Sequence, residues 1–361
     1  MIRLVKRPEP SRIAGFLAPI LALGVTLIAC AILFAILGNE PLPALKVLFW
    51  DPLFNEQMAS FSRPQILVKA APMILIALGL SFGFQAGIWN IGAEGQFVMG
   101  AISAIAVGLA LWDVSAWYVF PLMGLAGAMG GIAWAMVPAL LRIKFGANEI
   151  LVSLMLVYVA IQFLAAMVTG PMKSPLAFGF PETRSFRDFE AAYNGEVFAN
   201  TGIHWGVIAM IVIAMIAYIL QTRHLFGFQV RVMGLAPKAA RLSGVIPERM
   251  VVICLAISGG LAGLAGFYEA AGPAGKLTTD FASGYGFTAI IVAFLGRLNP
   301  IGIVFAGLIL ALTIVGGELA QLILNVPAAA VLVIQGMVLF FLLAADVLVN
   351  YRVALIQKGV A

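Results

Sequence analysis

The chain has 361 residues, of which 63% are hydrophobic and 10% charged, with a formal net charge of +5 and a mean hydropathy of +1.07. Soluble domains carry about 25% charged residues, so this composition excludes a water-soluble globular protein and leaves a polytopic membrane protein. Its two cysteines, Cys30 and Cys254, both fall in apolar runs, which suits buried thiols and offers neither a disulfide framework nor a thiolate metal site.

Arg3, Lys6, Arg7 and Arg12 precede an apolar run over 15–37. At about 23 residues it is longer than a signal-peptide core, and no small-residue cleavage site follows, so it is expected to stay as a first span. With about 20 residues needed to cross, further spans are expected at 66–85, 92–111, 117–141, 150–168, 205–221, 251–271, 285–296, 300–317 and 328–346. The fold expected is therefore all-α, one membrane domain of about ten helices, some discontinuous. The run 92–111 starts inside a polar motif, and 285–296 is short enough to be half of a broken helix or a re-entrant segment. Glycine spacings that suit close helix crossings occur at Gly127 and Gly131 and at Gly259 and Gly263.

Ten crossings put both termini on one side, and the cationic N-terminus assigns that side to the cytoplasm. The segments that this topology places inside hold 14 of the 21 basic residues, among them Arg142, Lys144, Arg223, Arg231, Lys238, Arg241, Arg249, Arg297 and Lys358. The outer segments or their borders hold Lys46, Arg63, Lys69, Lys173, Arg184, Arg187 and Lys276 together with most of the acids. An odd number of spans would scramble that bias. Two stretches lie outside the membrane. The outer one, 169–204, is rich in Pro and Phe and reads as a folded loop or a short interfacial helix. The inner one, 221–250, is basic, and within it Pro237 suits a first helical position and Gly244 a C-cap. Lys238 and Arg241 would share one face of that short helix, which is either an interfacial stub or a docking element for a partner.

Asn90-Ile91-Gly92-Ala93-Glu94-Gly95-Gln96 sets a carboxylate, two amides and two glycines into apolar surroundings. Irregular backbone and charge survive in hydrocarbon only where protein or a water-filled cavity surrounds them. Glycine makes the irregular backbone cheap, so the motif either turns amides toward a ligand or ties helices together. Gln85, Ser153, Tyr158, Gln162 and Thr288 are the other polar groups in apolar runs. Tyr158 and Gln162 are spaced to face together. These groups offer hydrogen bonds rather than charge, which suits a neutral polyhydroxylated or heterocyclic cargo, although interhelical contacts use the same residues. Catalysis has little support: His204 and His224 belong to opposite ends, and no metal-binding pair or carboxylate dyad stands at useful spacing. No Gly-x-x-x-x-Gly-Lys-[Ser/Thr] occurs, so ATP would have to be bound by another subunit.

The segment Ala86 to Gln96 resembles the motif that marks permease subunits of bacterial ABC importers of the branched-chain amino acid, ribose and nucleoside class, nucleoside permeases above all. Phe145 to Ala160 is similar to a second family block, with Val157 in place of the usual Asn and Ser153 in place of Thr. Met233 to Gly244 and Gly284 to Pro300 match two more. The resemblance implies a bacterial inner-membrane permease with its core at 66–346 and both termini cytoplasmic. It implies a second, usually different permease chain, cytoplasmic ATPase subunits that bind the ATP, and an extracytoplasmic solute-binding protein, with no cofactor in this chain and no nucleic-acid polymer as partner. Gly234, Pro237, Lys238, Arg241 and Gly244 would couple to the ATPase, and 169–204 would meet the binding protein. Gln85, Asn90, Glu94, Gln96, Ser153, Tyr158, Gln162 and Thr288 would lie along the substrate path. A nucleoside is the cargo expected, with a simple sugar such as ribose, or a secondary carrier working without ATPase, as the alternatives.

Overall fold

In a computed structural model, residues 2–6 and 12–355 are described; Arg7 and Lys358 of the charge count lie outside them. The chain divides into two compact units, one built from the described residues up to Arg63 and from Ile309 onward, the other from Pro64–Leu308.

In the first unit, strand β1 (Ile2–Lys6) pairs antiparallel with β2 (Tyr351–Leu355), a small ribbon in an otherwise helical protein. Helix α1 (Arg12–Ile36) is followed by α2 (Pro41–Leu45), a π-helical turn Lys46–Trp50 and α3 (Asp51–Phe54). The small faces of Gly316 and Gly317 let the Leu48 backbone and the Val331 side chain approach closely.

Helix α4 (Glu56–Gln85) leads into the second unit, which continues with α5 (Ala93–Ala110), α6 (Val119–Phe145), α7 (Glu149–Thr169) and α8 (Trp205–Thr222). Then come α9 (Leu225–Leu235), α10 (Pro237–Leu242), α11 (Pro247–Ala271) and α12 (Tyr285–Leu295); α13 (Pro300–Leu324) begins in this unit and ends in the first, to which α14 (Ala328–Asn350) belongs. Each of the ten expected spans coincides with one of these helices. Among the described residues, seven helices are long and apolar enough to cross a membrane.

Helix ends carry the local signals that stop them. Gly146, at φ +65°, ends α6, and the Asn148 side chain accepts the Ile150 and Leu151 N–H groups to start α7. An Arg142–Glu149 ion pair closes the turn between them.

The core of this unit is the crossing of α5, α6 and α11, where the two glycine pairs meet each other. A Cβ at Gly131 would lie 2.0 Å from the Gly259 carbonyl oxygen, and one at Gly263 would lie 2.2 Å from that of Gly127. Gly100 of α5 enters the same junction, where its Cβ would stand 2.2 Å from the Gly263 Cα. Backbones approach this closely only through small residues.

The stretch 169–204 is packed. Phe186 is buried, its N–H bonds the Gly275 carbonyl at 2.7 Å, and Thr183 N–H bonds Leu277 at 3.0 Å. Glu182 pairs with Lys276, and Arg184 lies 5.2 Å above the Trp112 ring. His204 caps α8 by accepting the Gly206 N–H at Nδ1, where the Asn194 amide also donates.

Candidate functional site at two broken crossings

Helix α4 stops at Gln85, and residues 86–92 turn without helical structure before α5 begins. Asn90 organises this turn. Its carbonyl oxygen accepts the Gly92 N–H at 3.0 Å and the Gln96 amide at 3.1 Å, while its NH2 donates to Gln96 Oε1 at 2.9 Å and Ser258 Oγ at 2.8 Å. Asn90, Gln96 and Ser258 are each 1% exposed. Ser153 Oγ accepts the Ile91 N–H at 3.2 Å, fastening the turn to α7. Gly92 and Gly95 serve packing here: a Cβ at 92 would strike Ser153 at 2.8 Å, and one at 95 would crowd Val157 at 3.1 Å.

Glu94, 1% exposed, caps a helix distant in sequence. Its Oε1 accepts the Gly284 N–H at 2.8 Å and its Oε2 accepts that of Gly286, the free donors at the start of α12. A carboxylate there meets the positive end of the helix dipole and satisfies N–H groups that hydrocarbon would leave bare. The close approach needs Gly286, because a Cβ on it would lie 2.3 Å from the Glu94 nitrogen.

The crossing that contains α12 is itself broken. Eleven helical residues rise about 16 Å, roughly half of a hydrocarbon core. The other half is non-helical chain running from Leu277, tied to Thr183, past Phe281, whose ring stacks on Phe97 at 5.1 Å, to Gly284. Segment 285–296 therefore holds one short helix with irregular chain on its N-terminal side.

At the far end of α12, Gln85 Nε2 donates to the Leu298 carbonyl at 2.7 Å and to Gln221 Oε1 at 3.1 Å. Gln221 in turn donates to Ser81 Oγ at 2.7 Å. Phe84, Trp89 and Phe294 cluster beside them with ring centroids 5.0 to 5.7 Å apart.

The structure thus brings Asn90, Glu94, Gln96 and Ser153 together at the turn before α5 and the start of α12, while Gln85 stands at the other end of α12. Tyr158 and Gln162 lie on the exposed face of α7, and Thr288 is half-buried on α12. Sequence reading passed over Ser258, Gln221 and the capped amides of Gly284 and Gly286; two glycines flanking Tyr285 at the head of a short apolar run were the available signal. It also passed over Glu269, a carboxylate inside the apolar run 251–271, and set Lys69 at a border. Lys69 lies within α4, and its ammonium acts electrostatically on Glu269.

Of the inner-loop residues, Pro237 opens α10 and Gly244 follows its C-terminus at φ +87°. Lys238 and Arg241 are exposed, the latter 3.7 Å from Glu248. Both help to line a cavity of about 400 Å³ with Arg142. Gly234 rests on the last turn of α4, where its Cβ would lie 2.0 Å from the Gln85 carbonyl oxygen.

A many-helix membrane bundle with irregular backbone protected inside protein is the construction of a membrane transport protein. Residues 63–343 match the family model described as branched-chain amino acid transport system / permease component. The chain belongs to this family of ABC transporter permeases. It is 33% identical to the glucose ABC transporter permease protein TsgB13 of Haloferax volcanii, over 97% of this chain and 92% of that one. It is 26% identical to the guanosine ABC transporter permease protein NupP of Bacillus subtilis, over 91% and 93% of the two chains. A second guanosine permease protein of that organism, NupQ, is 29% identical over 75% of this chain and 87% of its own length.

Proposed function

We propose that the chain is one half of the translocation path of an ABC importer and carries a neutral polar solute, a nucleoside, by alternating access. The observation that carries this reading is that Glu94, the one carboxylate of the Asn90–Gln96 motif, has both oxygens committed to α12. Asn90, Gln96 and Ser153 are buried and bonded within the turn, so what it leaves open is the 40% exposed Trp89 ring beside Phe84 and Phe294, an aromatic surface that suits a heterocycle. Guanosine in the names of two relatives supports the same cargo. That Bacillus subtilis has two distinct chains under this one description supports a second, different permease as partner.

Separate ATPase subunits would bind ATP and dock on α10, and a solute-binding protein would meet the packed 169–204 loop. The excess of basic residues at the α10 end favours placing that end, with both termini, in the cytoplasm of a bacterial inner membrane. The test is uptake of tritiated guanosine and of labelled glucose into proteoliposomes holding the full complex with its binding protein. ATP-dependent guanosine uptake is expected. Glucose uptake alone would establish the second reading, a simple-sugar permease, which the 33% identity to the glucose relative favours. Uptake without any ATPase subunit would mark a secondary carrier instead.

A further inference from the structure

We propose that Gln85 is the positioning residue through which the α9–α10 segment sets the place of half-helix α12, and with it the Asn90–Gln96 turn; this rests on the transporter reading above. The connection is continuous in hydrogen bonds and backbone contact. At its start, Gly234 lies against the Gln85 carbonyl with no side chain between, since even a Cβ would come within 2.0 Å of that oxygen. Arg231, one turn earlier on α9, donates to the Gln221 carbonyl. Although Gly234 is exposed to one side, its backbone abuts that of Gln85 directly, so a displacement of α9 toward α4 has no side chain to absorb it.

From there the Gln85 amide reaches two elements at once. It donates to Gln221 on α8 and to the Leu298 carbonyl just past α12. Arg297 and Leu298 both have positive φ, +53° and +57°, a conformation that L-residues adopt only when surroundings hold it. The Gln85 bond falls on this strained corner. Helix α12 is short and internally hydrogen-bonded, and its other end is fixed by Glu94. A push at Gly234 therefore arrives at Glu94 as a movement of α12.

Among the described residues Gln85 Oε1 has no hydrogen-bond partner, so the amide is held here through its NH2 alone.

The experiment uses the purified complex with Cys30 and Cys254 replaced by serine and spin labels at Phe287→Cys on α12 and Ile253→Cys on α11, both exposed positions. Pulsed electron resonance reads the label separation without nucleotide and after vanadate trapping of ATP. The parent complex is expected to shift its distance on trapping. Gln85→Met, which keeps the length and removes the amide, should reduce the shifted population about tenfold, a typical coupling size. Gly234→Ala should displace α12 without nucleotide, and Gln85→Met added to it should cancel that displacement. Gln85→Met complexes that move α12 as the parent does, or Gly234→Ala effects indifferent to Gln85, would overturn the linkage alone. A parent complex that hydrolyses no ATP would instead overturn the transporter reading.

Discussion

Glu94 is tolerated in a buried site because two backbone N–H groups, rather than a cation, satisfy it. Glu94→Gln keeps one acceptor and loses the charge at the helix end. It should lower the melting temperature of the complex by an amount worth about 1–2 kcal/mol and reduce uptake while assembly on size exclusion stays normal. Unchanged uptake would remove the cap from the mechanism. His204 gives a second prediction. Burial lowers its pKa from the ordinary 6.5 to about 4, and its Nδ1 accepts hydrogen bonds only the neutral ring can take. The unfolded state then binds the extra proton first, so the stabilisation is whole above pH 6.5 and is lost as pH falls toward 4. At full extent it is worth roughly 3 kcal/mol. Proteolysis of the 169–204 loop should accelerate over that window in the parent and lose this pH dependence in His204→Asn.

Among elements, the long helices were legible and their broken ends were not. An apolar run reports its own length, so the spans could be read one residue type at a time. That α5 caps α12 depends on a pairing 190 residues apart, and sequence order does not encode which N–H groups a carboxylate meets. The Gly127 and Gly131 spacing was visible, but in a glycine-rich chain it did not announce that Gly259 and Gly263 would be its partners. Gly131→Val should destabilise the α6–α11 crossing by about 1–3 kcal/mol, seen as a lower melting temperature. α10 was anticipated from Pro237 and Gly244, since proline and glycine act locally and need no partner to be read. Reversing charge at Lys238 and Arg241 together should leave this permease folded and depress its stimulation of ATP hydrolysis several-fold; a wild-type rate would exclude α10 as the docking element.

For the whole molecule, charge asymmetry makes a directional claim. Phe178, 98% exposed on the loop, and Leu242, 92% exposed at the end of α10, mark opposite ends of the charge-derived topology. In intact cells whose outer barrier has been permeabilised, a membrane-impermeant maleimide should label Phe178→Cys and spare Leu242→Cys until the inner membrane is opened. The reverse pattern would invert the proposed orientation. The candidate site was legible as a place, since polar residues set into apolar runs declare themselves. Its wiring was not, because most of those residues bond each other and α12.

The eleven-residue length of α12 also bears on how the protein is made. A segment that short falls well under the roughly 20 residues that insertion machinery accepts as a span, so it has no means of entering the bilayer by itself during synthesis. Its place is prepared earlier in the chain, by a carboxylate on α5 waiting for the amides of Gly284 and Gly286. The expected outcome is that α12 joins a bundle already in the membrane, so that a nascent chain arrested soon after residue 300 still holds α12 outside.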